Sequence, residues 1–298
     1  MRVVTNTVSN AIVRQIQQIG TQQAKLQNQV ATGQRIFQPE DDPTAVGRVL
    51  NLESEQRNTS QYQRNVNRAL ELSQASYSGL QSVKKVSDRA TEIGTLGSSV
   101  ISPAAASAYA SEVNQLIEQA VQLANTKFRT DYIFAGSAVD TPPFTVTRDL
   151  QGNVTNVAYV GNSQQPSIQL TESSSISPTT TGATNTGLRD FVNQLVALRT
   201  ALQANDPSAV ATTQGNLLTS EDLLVSSLAE HGGVQTRIEA TQAQLVGRST
   251  DLETLVSAEA DADMPTTIVR MNQAQTAYQA ALQSAANLMQ TSLLDYLK

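Results

Sequence analysis

Residues 264–298, MPTTIVRMNQAQTAYQAALQSAANLMQTSLLDYLK, carry an apolar stripe that never changes phase. Its members recur at alternating spacings of three and four residues, the repeat that places side chains on one face of an α-helix. They are Ile268, Met271, Tyr278, Leu282, Ala285, Met289 and Tyr296, with Gln275 and Ser292 at the two remaining positions. A stripe kept over several turns is typical of a helix that packs against another helix. The segment therefore predicts a long amphipathic helix.

The first thirty residues show the same pattern at the other end of the sequence. Their apolar positions are Val8, Ile12, Ile16, Ile19, Leu26 and Val30. The polar side is rich in glutamine, and residues 1–39 contain four basic residues and no acid. Where identical copies pack side by side, each charge meets its own copies and is repelled, so neutral polar faces suit self-assembly. A glutamine-rich flexible tail is the alternative interpretation.

We therefore predict that the two terminal helices form an assembly interface. The predicted interface residues are Val8, Ile12, Ile19, Leu26, Val30, Ile268, Met271, Tyr278, Leu282, Ala285, Met289, Leu293 and Tyr296. Isolated helices of this kind are marginal in water, because burial of the apolar face supplies most of their stability. We accordingly expect both ends to be largely disordered in the free monomer and to fold on assembly.

Three further helix starts are indicated by an oxygen-bearing cap before a proline: Asp42-Pro43, Ser102-Pro103 and Asp206-Pro207. Proline fits the first helical turn, where its missing N–H would have no partner. We expect helices over 43–96, 103–129 and about 188–230, with a helix end near His231-Gly232-Gly233 and a further helical stretch beyond it.

Between residues 136 and 187 the pattern changes to short strands separated by turns. The predicted strands are 144–148, 154–160 and 167–170. The fold class is therefore mainly α, a long antiparallel helical bundle of coiled-coil type formed by both ends of the chain, with a small β-rich inserted domain. The predicted domains are 1–40 with 264–298, 41–135 with 188–263, and 136–187.

Composition excludes several classes of function. The chain of 298 residues has no cysteine, which removes disulfides, thiolate nucleophiles and cysteine-ligated metals. A net charge of −6 argues against a nucleic-acid partner, which requires a basic surface. No apolar run is long enough to span a bilayer, so we expect no membrane partner. The first residues also lack the apolar region of a cleaved secretory signal peptide.

No residue set predicts catalysis, a cofactor or a metal. The acidic cluster Glu40-Asp41-Asp42 is best explained as a helix cap, because a metal site would need ligands that converge from elsewhere. His231, the only histidine, precedes the predicted helix end and has no nucleophile motif to serve. Phosphate-binding, dinucleotide-binding and metalloprotease motifs are all missing. The prediction is a protein that is not an enzyme.

Three segments resemble the flagellin family. They are ATGQRIFQPEDDPTAVGRVL (31–50), TKFRTDYIFAGSAVDTPPF (126–144) and the helix-forming segment 261–298. Within that family, the "DDP" and "YIFAG" elements resemble the proteins at the junction between hook and filament more than filament-forming flagellins. Gln34 and Pro265 depart from the usual pattern, and Pro265 leaves open whether the last helix continues from the preceding one.

The resemblance implies a structural subunit of the bacterial flagellum. It implies terminal helices that pair as coiled coils lining a central channel, and export through the flagellar type III apparatus to an extracellular position without a cleaved signal peptide. The implied partners are copies of the chain itself, flagellin, another hook-associated protein and a flagellar export chaperone. A short filament-forming flagellin is the nearest alternative, a soluble helical adaptor that binds a partner helix is the second, and an enzyme is the remote third.

Overall fold

The computed structural model describes the backbone of residues 2–296 and the side chains of residues 10–287. Within this part of the chain the helices are α1 (Arg2–Thr32), α2 (Pro43–Gly97), α3 (Pro103–Ala124), α4 (Gly182–Gln203), α5 (Pro207–Ala260) and α6 (Met264–Tyr296). The strands are β1 (Lys127–Phe128), β2 (Asp131–Tyr132), β3 (Phe144–Arg148), β4 (Val154–Tyr159), β5 (Ile168–Gln169) and β6 (Ser175–Ile176). The protein is 72% helical, which confirms the predicted mainly-α class with a small β-rich insert.

Polar caps set where three of the helices begin. The Ser102 hydroxyl accepts a hydrogen bond from the backbone N–H of Ala105 at the start of α3. Asp206 caps α5 in the same way. Thr181 caps α4, so this helix begins six residues before the predicted position of 188. A threonine cap without a following proline is a weaker signal in the sequence, which explains the difference.

The expected helix end at Gly232-Gly233 is wrong, because α5 is one continuous helix of 54 residues. A glycine inside a helix costs only about 1 kcal/mol relative to alanine. His231 is buried, at 5% exposure, and Ile238 and Leu245 continue the buried side of α5 beyond the two glycines. Burial on both sides of the glycine pair therefore outweighs their low helix propensity.

The chain divides into two compact units, each made of two segments. One unit contains residues 1–58 and 248–298, and the other contains residues 59–247. Helices α2 and α5 contribute to both units. The predicted division into three domains stays a prediction, since the two units follow different boundaries.

The unit of residues 59–247 contains the larger apolar core. Its α2 and α5 are antiparallel, with Lys84 paired to Glu221 and the Gln63 amide donating to the carbonyl of Leu245. The largest fully buried side chains are Leu80, Ile93, Ile117, Phe134, Leu170, Leu188, Phe191, Leu195, Leu198, Leu202, Leu217 and Leu224. These residues come from all four helices of the unit and from its inserted segment, so the insert shares the core of the helices.

The β-rich segment forms three separate two-stranded antiparallel sheets. The β3–β4 hairpin matches the strands predicted at 144–148 and 154–160, and it contains an irregularity at Thr147/Arg148. Asn193 of α4 holds this hairpin, because its amide accepts from the Val157 N–H at 2.8 Å and donates to the Val157 carbonyl at 2.9 Å. The third predicted strand is shortened to β5, which pairs with β6.

Candidate assembly surface

Helices α1 and α6 lie side by side in antiparallel orientation within the unit of residues 1–58 and 248–298. A Cβ atom placed on Gly20 of α1 would lie 3.5 Å from Cε2 of Tyr278 in α6. Near the end of α1, the backbone N–H of Ala262 donates to the carbonyl of Gly33 at 2.8 Å. Position 20 thus meets position 278 while position 33 meets position 262, which defines the antiparallel pairing.

Each helix of the pair buries one seam with a seven-residue repeat. In α1 the seam contains Ile12, Ile16, Ile19, Gln23, Leu26 and Val30. In α6 it contains Met264, Thr267, Met271, Ala274, Tyr278, Ala281 and Ala285. Between residues 264 and 287, all other side chains are exposed. The spacing of three and four residues in both lists is the spacing of a two-helix coiled coil.

The predicted interface residues fall into three groups. Seven lie in the α1–α6 seam: Ile12, Ile19, Leu26, Val30, Met271, Tyr278 and Ala285. Two are exposed outside it, Ile268 at 40% and Leu282 at 45%. The side chains of Val8, Met289, Leu293 and Tyr296 lie outside the described residues. A role of these positions in contacts between copies stays a prediction.

The exposed position of Ile268 and Leu282 has a geometric cause. The predicted stripe combined Met271 and Tyr278 with positions 268, 275 and 282, whereas the structure combines them with 267, 274 and 281. Successive residues of a helix point about 100° apart, so a shift of one position moves a side chain from the seam to its edge. The residues used instead, such as Ala274 and Ala281, are small and allow the helices to approach closely.

The outer side of the α1–α6 pair combines apolar side chains with positive charge. Val13, Ile268, Val269 and Leu282 are exposed there. Residues 10–33 and 264–287 contain three cations, Arg14, Lys25 and Arg270, and no acid. A shallow groove along α6 is lined by Val269, Asn272, Gln273, Thr276, Ala277 and Ala280. Within these two ranges the pair therefore offers apolar groups and positive charge, but no carboxylate, to a neighbouring surface.

A group of polar contacts lies where α1 ends and α6 begins, and it joins Arg35 and Arg48 to Glu259 and Ala260. We call it the polar junction. The backbone N–H of Arg35 donates to the carbonyl of Ala260 at 2.7 Å, and its guanidinium donates to the carbonyl of Glu259 at 2.8 Å. Arg48 forms a two-pronged ion pair with the Glu259 carboxylate at 3.0 and 2.9 Å. The bond from Arg48 is the largest of the effects that lower the pKa of Glu259. Sequence reasoning missed this junction, because its partners are more than 200 residues apart.

The acidic cluster acts as the predicted cap of α2. Asp42 Oδ1 accepts from the Ala45 N–H at 3.0 Å, which is the main cause of its lowered pKa. Asp41 pairs with Lys25 at 2.7 Å and also accepts from the N–H groups of Gln38 and Phe37. The Lys25 bond is the largest of the effects that lower the pKa of Asp41 to about 2.

Pro265 lies in the first turn of α6, and α6 does not continue from α5. Helix α5 ends at Ala260, and at the start of α6 the Asp263 carbonyl accepts from the Thr267 N–H at 2.8 Å while its carboxylate accepts from the Thr266 hydroxyl at 2.6 Å. Proline is tolerated in a first turn, where its missing N–H removes no helical hydrogen bond. The proline in the first turn of α6 therefore coincides with the break between α5 and α6 at residues 261–263.

Two polar residues outside the α1–α6 pair, Arg89 and His231, have structural explanations. Arg89 of α2 bonds Glu112 of α3 and Glu92 of its own helix, each at 2.6 Å, so its charge links two helices. His231 lies inside α5, where burial lowers its pKa and favours the neutral ring. In residues 10–287 no three potential ligands come together to hold a metal ion. No helix in the same range is long and apolar enough to cross a bilayer.

Comparison with solved structures finds the same fold in flagellar junction proteins. A protein of Vibrio parahaemolyticus assigned as flagellar hook-associated superposes with a TM-score of 0.66 at 17% identity, covering 74% of this chain and 100% of its own. FlgL of Bacillus cereus gives 0.61 at 20% identity, over 70% and 99%. The flagellar junction protein FlgL of Legionella pneumophila gives 0.50 at 15% identity, over 73% and 100%. At these identities the likeness concerns the fold.

Two protein-family models match the two ends of the chain. Residues 3–139 match the bacterial flagellin N-terminal helical region, and residues 222–297 match the bacterial flagellin C-terminal helical region. No curated protein matches this sequence. The two matched regions contain the α1–α6 pair, the polar junction and most of α2 and α5. The chain therefore belongs to the flagellin family, whose members are structural, non-enzymatic proteins of the bacterial flagellum.

Proposed function

We propose that this chain is a structural subunit of the hook–filament junction and that it self-assembles through the α1–α6 pair. The solved structures that share its fold are of hook-associated and junction proteins, which supports the junction over the filament itself. The sequence elements "DDP" (41–43) and "YIFAG" (132–136) support the same position.

The observation that carries the proposal is the outer surface of the α1–α6 pair. Each of the two helices buries only one seam against the other, and Ile268, Val269 and Leu282 of α6 stay exposed. No acid lies in residues 10–33 or 264–287, so copies packed side by side would not place carboxylates against each other. Burial of these side chains by neighbouring copies supplies the free energy of assembly.

The proposed partners follow from a position between hook and filament. They are copies of the chain itself, flagellin on one side, another hook-associated protein on the other and, before assembly, a flagellar export chaperone. The same exposed apolar groups of α6 would attract a chaperone inside the cell, because they would otherwise promote premature association. The chain is proposed to leave the cell through the flagellar export apparatus without a cleaved signal peptide.

The proposal is tested with the double variant Ile268→Asp, Leu282→Asp in a strain whose junction gene is deleted. We expect hooks without filaments and flagellin shed into the medium, since both carboxylates would be buried between copies. The matched control, Leu96→Asp with Val100→Asp, places the same charges on exposed apolar positions of the other unit. Filaments attached at wild-type number in the α6 variant would contradict the proposal.

A short filament-forming flagellin is the second candidate, because both family matches are to flagellin itself. Seeding the purified chain with filament fragments separates the two candidates. A junction protein stops growth after a short layer, whereas a filament-forming flagellin elongates without limit.

A further inference from the structure

The tip of the β3–β4 hairpin presents a fully exposed leucine on a rigid turn. Asp149 Oδ1 accepts from the backbone N–H groups of Gln151 and Asn153 at 2.9 and 2.8 Å, and Gly152 has a φ of +87°. An ion pair between Arg148 and Glu118 anchors the hairpin to α3. Leu150 itself contacts little of its own chain. We call residues 149–152 the Leu150 tip.

The same unit contains a cavity that nothing in the described structure fills. It measures about 470 Å³, within the range of roughly 300–1,000 Å³ that is usual for binding pockets. One wall is the face of α2 that carries Asn65, Arg68 and Leu72. Its apolar lining consists of Leu72, Ile133, Val139, Pro166 and Ile168. We call it the α2 cavity.

Two polar groups of the α2 cavity lack partners among residues 10–287. Arg68, which is exposed, and Asp131 both line the cavity; Asp131 accepts from the Thr130 hydroxyl, whereas no described hydrogen bond or ion pair engages the Arg68 guanidinium. Thr179 also lines the cavity, and its buried hydroxyl has no hydrogen-bond partner. Buried polar groups in native proteins are normally satisfied, so an unpaired hydroxyl at a cavity wall indicates a missing partner.

The Leu150 tip carries an apolar side chain and a carboxylate, which suit the apolar lining and the unpaired arginine of the α2 cavity. A leucine side chain suits an apolar lining, and the adjacent Asp149 carboxylate would face the free Arg68 guanidinium. The peptide groups of the tip offer donors and acceptors for the Thr179 hydroxyl. Single exposed leucines are common on protein surfaces. The coincidence of an exposed side chain, a complementary charge and an unfilled cavity distinguishes this leucine.

The tip cannot reach the cavity of its own copy. Glu112 of α3 pairs with Arg89 of α2, and Glu118 therefore lies at about the level of residue 83 of α2, since α3 turns back along α2. Strand β3 begins beside Asn125 and runs toward Glu118, so the tip points away from residues 65–72. The separation along α2 is roughly 20 Å at 1.5 Å per residue.

We propose that the Leu150 tip of one copy docks in the α2 cavity of a neighbouring copy. The contact joins two different surfaces, so it is repeated from copy to copy and builds a ring or a helical layer. It rests on the proposed function, because it requires copies held side by side. It adds a specific lateral link in the unit of residues 59–247 to the packing of the terminal helices.

A cysteine pair tests the contact directly, because the native chain contains no cysteine. The variant Leu150→Cys, Val139→Cys is expressed in the deletion strain, and isolated flagella are oxidised and separated without reductant. We expect a ladder of covalently linked copies, since a disulfide forms only where two Cβ atoms approach within about 4.5 Å. The control pair Val100→Cys, Val139→Cys, which carries a similarly exposed first position, should give no ladder.

A cysteine pair that holds filaments but cross-links no more than the control pair overturns the contact while leaving the junction function intact. Failure of the unmodified chain to restore filaments would instead contradict the junction function. If the cysteine-pair variant holds no filaments, the single variant Leu150→Asp tests the contact instead. We expect it to retain about tenfold fewer filaments under shear, because burial of a leucine is worth about a factor of ten in association. Wild-type retention would overturn the contact.

Discussion

Gly79 of α2 shows how a single missing side chain lets one segment pack against another. A Cβ atom at this position would lie 2.8 Å from Cζ of Phe134 and 3.1 Å from Cδ1 of Ile133. Both neighbours belong to the "YIFAG" element, and Phe134 is fully buried. At Gly215 of α5, by contrast, a Cβ atom would meet nothing within 4 Å. Both glycines lie inside helices, so the sequence alone does not distinguish them.

The variant Gly79→Ala is expected to lower the free energy of unfolding by about 1–3 kcal/mol, because the added methyl group forces a packed aromatic ring to move. The control Gly215→Ala should raise it by up to about 1 kcal/mol, since alanine favours the helix and finds open space. Urea unfolding followed by circular dichroism measures both. A stabilising effect of Gly79→Ala would show that the Phe134 contact is not tight.

At the scale of elements, the seam of α6 shows that the spacing of apolar residues predicts a helix but not which of its faces is buried. The repeat of three and four residues identified a long helix at each end of the chain, and both helices are present. Two overlapping faces of α6 share Met271, Tyr278 and Ala285, and only the shape of α1 decides between them. Gly20 makes room for Tyr278, which belongs to both faces, and the small side chains of Ala274 and Ala281 complete the face that is buried.

The polar junction at the start of α2 predicts a defined response to acid. The pKa of Asp41 is about 2, below its ordinary value of 3.8, chiefly because of the bond to Lys25. A group whose folded pKa is lowered stabilises the fold when ionised. Its contribution is therefore complete at neutral pH and is lost as the pH falls from about 4 to about 2.

We expect the Asp41 carboxyl resonance to titrate near pH 2 in the full chain, as followed by carbon-detected NMR. The variant Lys25→Met should raise this midpoint toward the ordinary value, because it removes the largest lowering effect. Arg14→Met is the matched control, since Arg14 lies on the same helix and has no described acidic partner. An unchanged midpoint in Lys25→Met would contradict the assignment of the cause.

At the scale of the whole molecule, the α1–α6 pair buries less apolar surface than the unit of residues 59–247. In residues 59–247 many large side chains are fully buried, whereas the seam residues in 10–33 and 264–287 are half-buried, except for Leu26, Thr267 and Ala274, which are buried. Segments with few buried apolar contacts open at low free-energy cost. The pairing of α1 with α6 is therefore compatible with terminal helices that are stable only when other copies cover them.

Amide hydrogen exchange of the dilute monomer should show strong protection in α3 and α4 and weak protection in residues 1–35 and 264–298. The physical reason is that an isolated two-helix pair buries too little to hold its backbone hydrogen bonds closed. The same measurement on assembled junctions serves as the comparison and should show protection at both ends. Strong protection of the ends in the monomer would contradict folding on assembly.

The sequence by itself determined the two terminal helices, the helix starts marked by proline and the two main strands, because each depends on residues close together in the chain. Short sequence segments also indicated the family. The tertiary structure decided which face of α6 is buried, that α5 continues through Gly232-Gly233, and that Arg35 and Arg48 reach Glu259. Those outcomes depend on residues far away in the chain. Periodicity describes one helix at a time, whereas burial is a property of the surfaces that meet.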